Sequence, residues 1–299
     1  MSEYKSIISR REFLRGAAGV TIAAAAGLGP AVYAQEKLPY MTRVVLVRDS
    51  GVLDKDGKVI ESVAARMLDD AVVALLKGKN AATVWGRLVT GADIVGIKSN
   101  VWAKLPTPPE IEKVLKQRVM AAGVPEKNIS IRDREVFDDP IFQKATALIN
   151  VRPLRTHHWA GVGGCIKNYI QFVPTPSDYH DEYCTPLGSI WTKDLVKGKT
   201  RLNILVVFQP LFYGIGPHHY DHSYTWRYCG MLVGTDPVAV DAVGLKLIEA
   251  KRREHFKEDR PLTPLAIHIA RADTKWGIGT SDLSKIELIK LGWQEGVLI

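Results

Sequence analysis

One stretch of this chain constrains its fold more than any other, because two apolar segments and a helix follow one another there with short connections. Residues 94–97 form a compact apolar run, and residues 107–123 carry apolar side chains at helical spacing. Residues 129–133 are again rich in β-branched side chains. A strand–helix–strand unit of this kind joins parallel neighbours in a sheet. The sequence therefore predicts an α/β fold with a mainly parallel sheet flanked by helices.

Further segments extend this pattern along the chain. Short apolar runs predict strands at 43–47, 147–151, 203–208, 230–234 and 286–289, and helical spacing predicts helices at 60–76, 81–89, 236–255 and 265–271. We expect Thr107 to cap the helix of the central unit. A single large domain is expected over residues 35–299, with residues 173–200 as a long loop that acts as a lid or an insertion.

The first 34 residues are predicted to be an export signal rather than part of the fold. The adjacent Arg10 and Arg11 begin a twin-arginine motif, and the Ala/Gly-rich run after them is too short and too mildly apolar for a stable membrane span. Val32 and Ala34 suit a cleavage site. The prediction is a protein exported to the periplasm in a folded state, which favours a cofactor, with no membrane span after cleavage. A disordered tail or an amphipathic surface helix is the alternative.

Charge and cysteine content narrow the functions that the chain can have. The formal net charge is +8, and about +6 without residues 1–34, so a mild basic excess favours acidic ligands. No basic stripe with interleaved aromatic residues is present, which argues against nucleic acid as a partner. Cys165, Cys184 and Cys229 form no Cys-x-x-Cys unit, so the sequence holds no iron–sulfur motif. An oxidising compartment permits one disulfide among them and leaves one thiol over.

Polar side chains follow two of the predicted strands. Lys98 and Asn100 come directly after residues 94–97, and the segment 156–169 follows residues 147–151. Ligands of open α/β sheets bind beyond the carboxyl ends of the strands, where a lysine supplies positive charge and an asparagine supplies directed hydrogen bonds. The alternative is a solvated surface lysine and a turn asparagine.

Segment 156–169 combines three glycines with a lysine and an asparagine. Gly161, Gly163 and Gly164 allow the backbone to approach a ligand closely, and consecutive N–H groups can hold an anion. Lys167 and Asn168 follow one turn later, where a helix can start. These residues predict an anion-binding wall, and an ordinary glycine turn with two surface polar residues is the alternative.

Six of the eight histidines lie between positions 157 and 222. His218 and His222 would share one face of a helical turn, at a spacing that can chelate one metal ion. His157 or His158, together with His180 and with Cys165 or Cys184, could complete a transition-metal site. The predicted histidine ligands are His157, His180, His218 and His222. No continuous metal motif is present, so hydrogen bonding within polar loops is the alternative.

Asp236 and Asp241 stand at the start of the predicted helix 236–255. Because Pro237 follows it directly, Asp236 is suited to the N-cap position. Asp241 lies within the next turn, where the helix dipole favours an anion. Both carboxylates are predicted ligand-binding groups if the start of this helix faces the crevice, and a purely capping role is the alternative for Asp236.

Four segments of the chain resemble the family known as domain of unknown function 362. They are Val-Gly-Ile-Lys-Ser-Asn at 95–100, Asn-Val-Arg-Pro-Leu-Arg-Thr-His at 150–157, Ile-Lys-Asn at 166–168 and Gly-Thr-Asp-Pro-Val-Ala-Val-Asp-Ala-Val at 234–243. Some relatives carry iron–sulfur modules whose cysteine clusters are missing here, and Arg155 stands where the family often has lysine. The resemblance implies no established reaction. It implies an α/β domain in which one pocket collects Lys98, Asn100, His157, Lys167, Asn168, Asp236 and Asp241.

These observations predict an exported enzyme or redox accessory protein whose polar crevice holds an anionic ligand or a transition metal. Lys98 and Lys167 would bind negative charge, and Asn100 and Asn168 would orient the ligand. Imidazole is the usual general acid or base near neutral pH. The alternative function is a non-catalytic periplasmic protein that binds an acidic small molecule, or a partner protein during assembly. The candidate catalytic residues are His157, His158 and Lys167.

Overall fold

The strands predicted from apolar runs assemble into one sheet in the computed structural model, which describes residues 41–214 and 220–299. In this part of the chain the strands are β1 (Thr42–Arg48), β2 (Val95–Lys98), β3 (Ile129–Arg132), β4 (Ala147–His157), β5 (Gly161–Gly163), β6 (Thr200–Leu211), β7 (Gly230–Gly234) and β8 (Ile286–Gly292). Their order across the sheet is β3-β2-β4-β6-β7-β1-β8, with β5 paired to the end of β4. β3, β2, β4 and β6 are parallel, as are β1 and β8, while β7 is antiparallel to β6 and β1. The predicted α/β fold with a mainly parallel sheet is confirmed.

Helices cover both faces of this sheet. Those in the described residues are α1 (Glu61–Leu76), α2 (Ala81–Leu88), α3 (Pro109–Ala121), α4 (Pro140–Lys144), α5 (Cys165–Asn168), α6 (Pro237–Phe256) and α7 (Ile267–Thr274). Shorter 3-10 helices span Ser50–Val52, Glu126–Asn128, Tyr169–Phe172, Pro176–Tyr179, Thr185–Thr192, His222–Tyr224 and Leu283–Lys285. Side chains of β4 and β6 alternate between two core layers. One layer contains α1, α2 and α3, and the layer on the opposite face contains α5, α6 and α7.

Two predictions concern residues outside these ranges. The predicted export signal, residues 1–34, and the predicted metal ligand His218 both lie outside the described residues. Within the residues that are described, no helix is long and apolar enough to cross a membrane.

Of the two predicted N-cap residues, Asp236 caps its helix and Thr107 does not. Asp236 caps α6, and its carboxylate accepts hydrogen bonds from the backbone N–H groups of Val238 (2.8 Å) and Ala239 (3.0 Å). The prediction that Thr107 caps α3 is wrong, because the N-cap is Pro108, which is followed by a second proline and is therefore held out of the helical region. Thr107 instead accepts a hydrogen bond from the backbone N–H of Asn100 (3.1 Å) and closes the loop after β2.

Residues 173–200 are more regular than the predicted long loop. They contain the 3-10 helices Pro176–Tyr179 and Thr185–Thr192, and they bury Leu187 and Ile190 in the core layer next to α5. This segment is therefore part of the packed domain. Its role as a lid remains a prediction.

The turn Asp181–Cys184 has an unusual backbone. Glu182, Tyr183 and Cys184 all have positive φ angles, of 46°, 57° and 65°. Left-handed residues other than glycine cost about 1 kcal/mol or more each, so three in succession must be stabilised by their surroundings. The turn leaves the Tyr183 ring exposed and buries the Cys184 thiol completely.

The three cysteines are buried as free thiols. The disulfide that an oxidising compartment would permit is not formed between any two of Cys165, Cys184 and Cys229. Burial raises the pKa of each thiol above its ordinary value, so all three are protonated at neutral pH.

Candidate functional site

The carboxyl ends of β2 and β3 bring a lysine and an aspartate together. Lys98 ends β2, and Asp133 directly follows the neighbouring parallel strand β3. The Lys98 Nζ donates hydrogen bonds to the Asp133 Oδ1 (2.6 Å) and the Asn168 Oδ1 (3.4 Å). Burial lowers the pKa of Lys98 to about 8 despite the ion pair. Burial alone would raise the pKa of Asp133, but Lys98, the Val101 N–H and Arg152 together outweigh burial, and the pKa is lowered.

A network of buried amides joins this ion pair to α5. Asn168 Nδ2 donates to the Asn150 Oδ1 (2.8 Å) and to the backbone carbonyl of Lys98 (3.1 Å). Asn150 Nδ2 in turn donates to the Asn203 Oδ1 (3.1 Å) on β6 and to the Cys165 carbonyl (3.0 Å). Since buried amides are costly unless they are paired, the network fixes α5 against the sheet.

Asp241 holds the first turn of α5 from the opposite side. Its Oδ1 accepts a hydrogen bond from the Cys165 N–H (2.6 Å), and its Oδ2 accepts one from the Ile166 N–H (2.9 Å). Burial raises the pKa of Asp241 to about 7, although these two hydrogen bonds and Arg152 act in the other direction. A Cβ at Gly164 would lie 2.3 Å from the Asp241 Oδ1, so only glycine permits this approach.

Two buried arginines on β4 lie beside α5. The Arg152 Nη1 donates to the Gly164 carbonyl (3.3 Å), and the Arg155 guanidinium stacks 4.4 Å from the centre of the Trp102 ring. Arg152 Nη2, Arg155 Nε and Arg155 Nη1 are buried and have no hydrogen-bond partner among the described residues. Burial lowers the pKa of both arginines, and Arg152 lowers that of Arg155 further. Buried, unpaired guanidinium N–H groups are unfavourable, so these nitrogens are suited to an acceptor that is not part of the chain.

Lys167 on α5 completes a group of four buried cations. Its Nζ lies 3.9 Å from the Cys184 Sγ, which the left-handed turn positions. Burial lowers the pKa of Lys167 to about 8; the Cys184 thiol opposes this shift, and the two arginines strengthen it. Of the four cations, only Lys98 makes an ion pair within the described residues. We name this group the cation cluster: Lys98, Arg152, Arg155 and Lys167.

Histidines and a tryptophan stack next to the cation cluster. The ring centres of His157 and His158 are 4.7 Å apart, and Trp159 lies 4.1 Å from both His158 and His180. The His157 Nδ1 accepts a hydrogen bond from the Trp159 N–H (3.2 Å), which leaves Nε2 as the donor nitrogen of the neutral ring. Burial and the neighbouring Lys167 lower the pKa of His157. The same two causes lower the pKa of His180 to about 4. Both rings are therefore neutral at pH 7.

Of the predicted site residues, Lys98, His157, Lys167, Asn168 and Asp241 meet around α5, as their hydrogen bonds and electrostatic interactions show.

Asn100 and Asp236 have different surroundings. Asn100 follows β2, and its side-chain Oδ1 is buried without a hydrogen-bond partner. The Asp236 carboxylate accepts hydrogen bonds from the start of its own helix and from the backbone N–H of Thr280 (2.9 Å). Asp236 therefore caps and anchors α6, and none of these three hydrogen bonds involves a residue of the cation cluster.

The predicted four-histidine metal site is not assembled in the part of the chain that is described. His222 hydrogen-bonds to the Tyr220 hydroxyl (3.2 Å) and lines a different cavity from His157. Among the described residues, no group of three or more histidine, cysteine or carboxylate side chains is placed to hold a metal ion. Because His218 lies outside them, the metal site stays a prediction.

Sequence reasoning missed the two arginines and the aspartate of this site. Asn150 and Arg152 alternate with apolar residues in β4, which is buried along its whole length. A charged residue inside a buried strand is rare and marks a functional or paired group, so this alternation was a usable signal. Asp133 comes directly after β3, and Lys98 is the last residue of β2. Because these two strands pair in parallel, the two positions are neighbours.

Two cavities lie near the cation cluster. One, of about 650 Å³, includes Thr156, His157, Tyr213, Arg252 and Arg260 in its wall. The other, of about 420 Å³, lies on the opposite face of β4 and β6 and includes Pro153, Phe208 and Tyr220. Trp102 separates this second cavity from Arg155, because it contacts the Tyr220 ring edge-on (5.7 Å between ring centres) and stacks on the guanidinium.

The fold and these residues define an α/β protein with a buried, cation-rich polar site at the carboxyl ends of parallel strands. Residues 123–246 match the family described as domain of unknown function (DUF362). The match covers Asp133, Arg152, Arg155, Lys167 and Asp241, and it supports the family resemblance. No curated protein and no solved structure matches the chain.

Proposed function

We propose that this protein binds an anionic small molecule in its cation cluster. The observation that carries this proposal is the set of buried guanidinium nitrogens on Arg152 and Arg155 that have no hydrogen-bond partner in residues 41–214 and 220–299. A carboxylate or phosphate supplies several acceptor oxygens, and two guanidinium groups can hold it in a defined orientation. Burial strengthens each of these charge-assisted bonds, because the surroundings are poor in water.

The balance of charge supports a ligand rather than a structural role for all four cations. A buried ion pair is at best weakly stabilising, and a buried cation without a partner is strongly unfavourable. Lys98 has Asp133, whereas Arg155 and Lys167 make no ion pair in the described ranges. An anion bound between them would compensate the charge that the chain leaves unbalanced.

The surrounding residues would give such a ligand a fixed position. Asn168 and Asp241 hold α5, and α5 in turn holds Lys167. Trp102 restricts the Arg155 guanidinium by stacking on it. A site whose side chains are fixed in advance loses little entropy when it binds.

Thermal denaturation with and without small anions tests this proposal. Phosphate, sulfate and citrate are added to the ligand-free protein, and we expect at least one to raise the melting temperature in a saturable way. A ligand at about 100 times its dissociation constant adds about 2.7 kcal/mol to the free energy of unfolding. Arg155→Met should abolish this stabilisation, whereas Arg134→Met, at an exposed position, should retain it. Stabilisation that is equal in both variants would contradict the proposal.

A second candidate function is catalysis at the same site. Three buried groups have pKa values near neutrality: about 8 for Lys98, about 8 for Lys167 and about 7 for Asp241. Groups with such values can give and take protons at physiological pH, and they concentrate in active sites. Turnover of a bound anion that depends on Lys167 separates an enzyme from a binding protein. The redox and metal-dependent versions of this function stay predictions from the sequence.

We also propose that the protein is exported through the twin-arginine pathway, on the sequence of residues 1–34 alone. Replacing both Arg10 and Arg11 by lysine should leave the full-length chain in the cytoplasm. Cell fractionation with antibody detection measures this, and Lys5→Arg serves as the control for a conservative change outside the pair. Periplasmic recovery of the double variant at the level of the unmodified chain would contradict export by this route.

A further inference from the structure

The cavity of about 650 Å³ adjoins the cation cluster at His157, which follows Arg155 by two positions on β4. His157 lines this cavity, and the pKa of the same ring is lowered by Lys167 and Arg155 after burial. The ring is neutral and only 7% exposed, and its Nε2 is available as a donor. A ligand that occupies the cation cluster therefore has a large cavity beside it, on the other side of one uncharged imidazole.

The wall of this cavity also carries two arginines that are not part of the cation cluster, Arg252 and Arg260. Arg252 donates hydrogen bonds to the carbonyl groups of Phe212 (3.1 Å), Arg260 (2.8 Å) and Pro261 (2.9 Å), so it shapes the wall. Arg260 lies over the Tyr213 ring, 5.4 Å from its centre, and makes no ion pair or side-chain hydrogen bond within residues 41–214 and 220–299. Arg260 is exposed, and its guanidinium lies against the Tyr213 and Phe256 rings, so its N–H donors are open to solvent and to a ligand that enters the cavity.

The rest of the wall is neutral. The described residues that line the cavity include no carboxylate, and Pro261 and Leu262 give it an apolar stretch near Arg260. A wall that is cationic at Arg252 and Arg260 and apolar at Pro261 and Leu262, beside a separate cationic site, suits a molecule with two anionic groups and an apolar part between them. The apolar stretch suits a short methylene chain, since a charged or strongly polar spacer would lose hydration there.

We propose that the ligand is an elongated dianion of the dicarboxylate type, with one anionic group in the cation cluster and the other at Arg260 in this cavity. This inference rests on the proposed anion-binding function and names the substrate class of that site. The cation cluster binds the first carboxylate. His157 lies between the two charged groups and donates to the ligand, and Arg260 selects for the second carboxylate.

Titration calorimetry on the full chain tests this inference with matched probes. Glutarate, adipate and suberate are each compared with the monocarboxylate of the same chain length, and inorganic phosphate serves as the probe for the cation cluster alone. We expect at least one dicarboxylate to bind about tenfold more tightly than its matched monocarboxylate. In Arg260→Met this gap, the difference in affinity between the dicarboxylate and its monocarboxylate, should fall to about twofold or less, and the affinity for phosphate should not change. Arg253→Met, an exposed position on α6 that does not line the cavity, is the control and should keep the gap.

The outcomes separate the two proposals. If phosphate binds and depends on Arg155, but no dicarboxylate gains over its monocarboxylate, the inference is overturned and the proposed anion-binding function stands. The same conclusion follows if Arg260→Met leaves the gap intact. If neither phosphate nor any carboxylate binds, the proposed function itself fails. Competition between phosphate and the best dicarboxylate is expected, because both need the cation cluster.

Discussion

Asp241→Asn is expected to lower the free energy of unfolding by about 3 kcal/mol. The two carboxylate oxygens accept hydrogen bonds from different backbone N–H groups at the start of α5, and an amide has only one oxygen. The amide nitrogen would face an N–H donor, and the buried Arg152 would lose a negative neighbour. Chemical denaturation at about pH 5 and pH 8 measures the loss. It should be smaller at pH 8, because burial raises the pKa of Asp241 to about 7 and ionisation of the buried carboxylate opposes folding.

The carboxylate at the N-cap of the same helix, Asp236, provides the control. Asp236→Asn keeps an efficient N-cap and loses one bond to Thr280, so its cost should stay near 1 kcal/mol. Gly164→Ala is a second variant that acts on the same contact, because its Cβ would displace the Asp241 carboxylate. Equal stability of Asp241→Asn and the unmodified protein would show that α5 does not depend on this carboxylate.

Lys167→Met is expected to make the ligand-free protein more stable while weakening its binding of anions. Methionine fills similar space without a buried charge next to Arg152 and Arg155, and replacing unpaired buried charge by apolar atoms stabilises by about 2 kcal/mol. The same change removes one donor from the cation cluster. With saturating phosphate the order should reverse, so that the unmodified protein is the more stable of the two.

The difference in stability between Lys167→Met and the unmodified protein should depend on pH, because burial lowers the pKa of Lys167. In the folded protein the pKa of Lys167 is about 8, below the value of 10.5 for an exposed lysine, so folding is opposed by its charge at neutral pH. That penalty disappears as the pH rises from about 8 to 10.5, and the advantage of Lys167→Met should disappear with it. Thermal melts across this range measure the effect. Lys197→Met, at an exposed position, should change stability by less than about 0.5 kcal/mol at any pH.

The sheet was predictable because its strands and helices have clear periods. Apolar runs located β1, β2, β3, β6, β7 and β8, and the helical spacing located α1, α3 and α6. Lys98, Asn168 and Asp241 were also predictable, since strand ends and helix starts are where α/β proteins gather polar groups. The family match over residues 123–246 agrees with this part of the interpretation.

Other features of the site depend on tertiary structure that no local pattern encodes. Arg155 lies in a strand that continues six residues beyond the predicted segment 147–151, and its burial follows from β5 and Trp102 packing over it. The turn at 182–184 was unpredictable because three successive left-handed residues without glycine contradict the usual turn preferences. Only the packing around Cys184 explains why the chain adopts it.

The anchoring of α6 has a consequence for work on shortened chains. Asp236 binds the backbone of Thr280, and Asp241, five positions later on the same rigid helix, binds the start of α5. The last twenty residues include β8, which lies along β1 at the edge of the sheet, and they contribute no side chain to the cation cluster. They nevertheless fix the position of the helix on which α5 depends. A chain cut before Thr280 would therefore lose the geometry of a site that it still encodes in full.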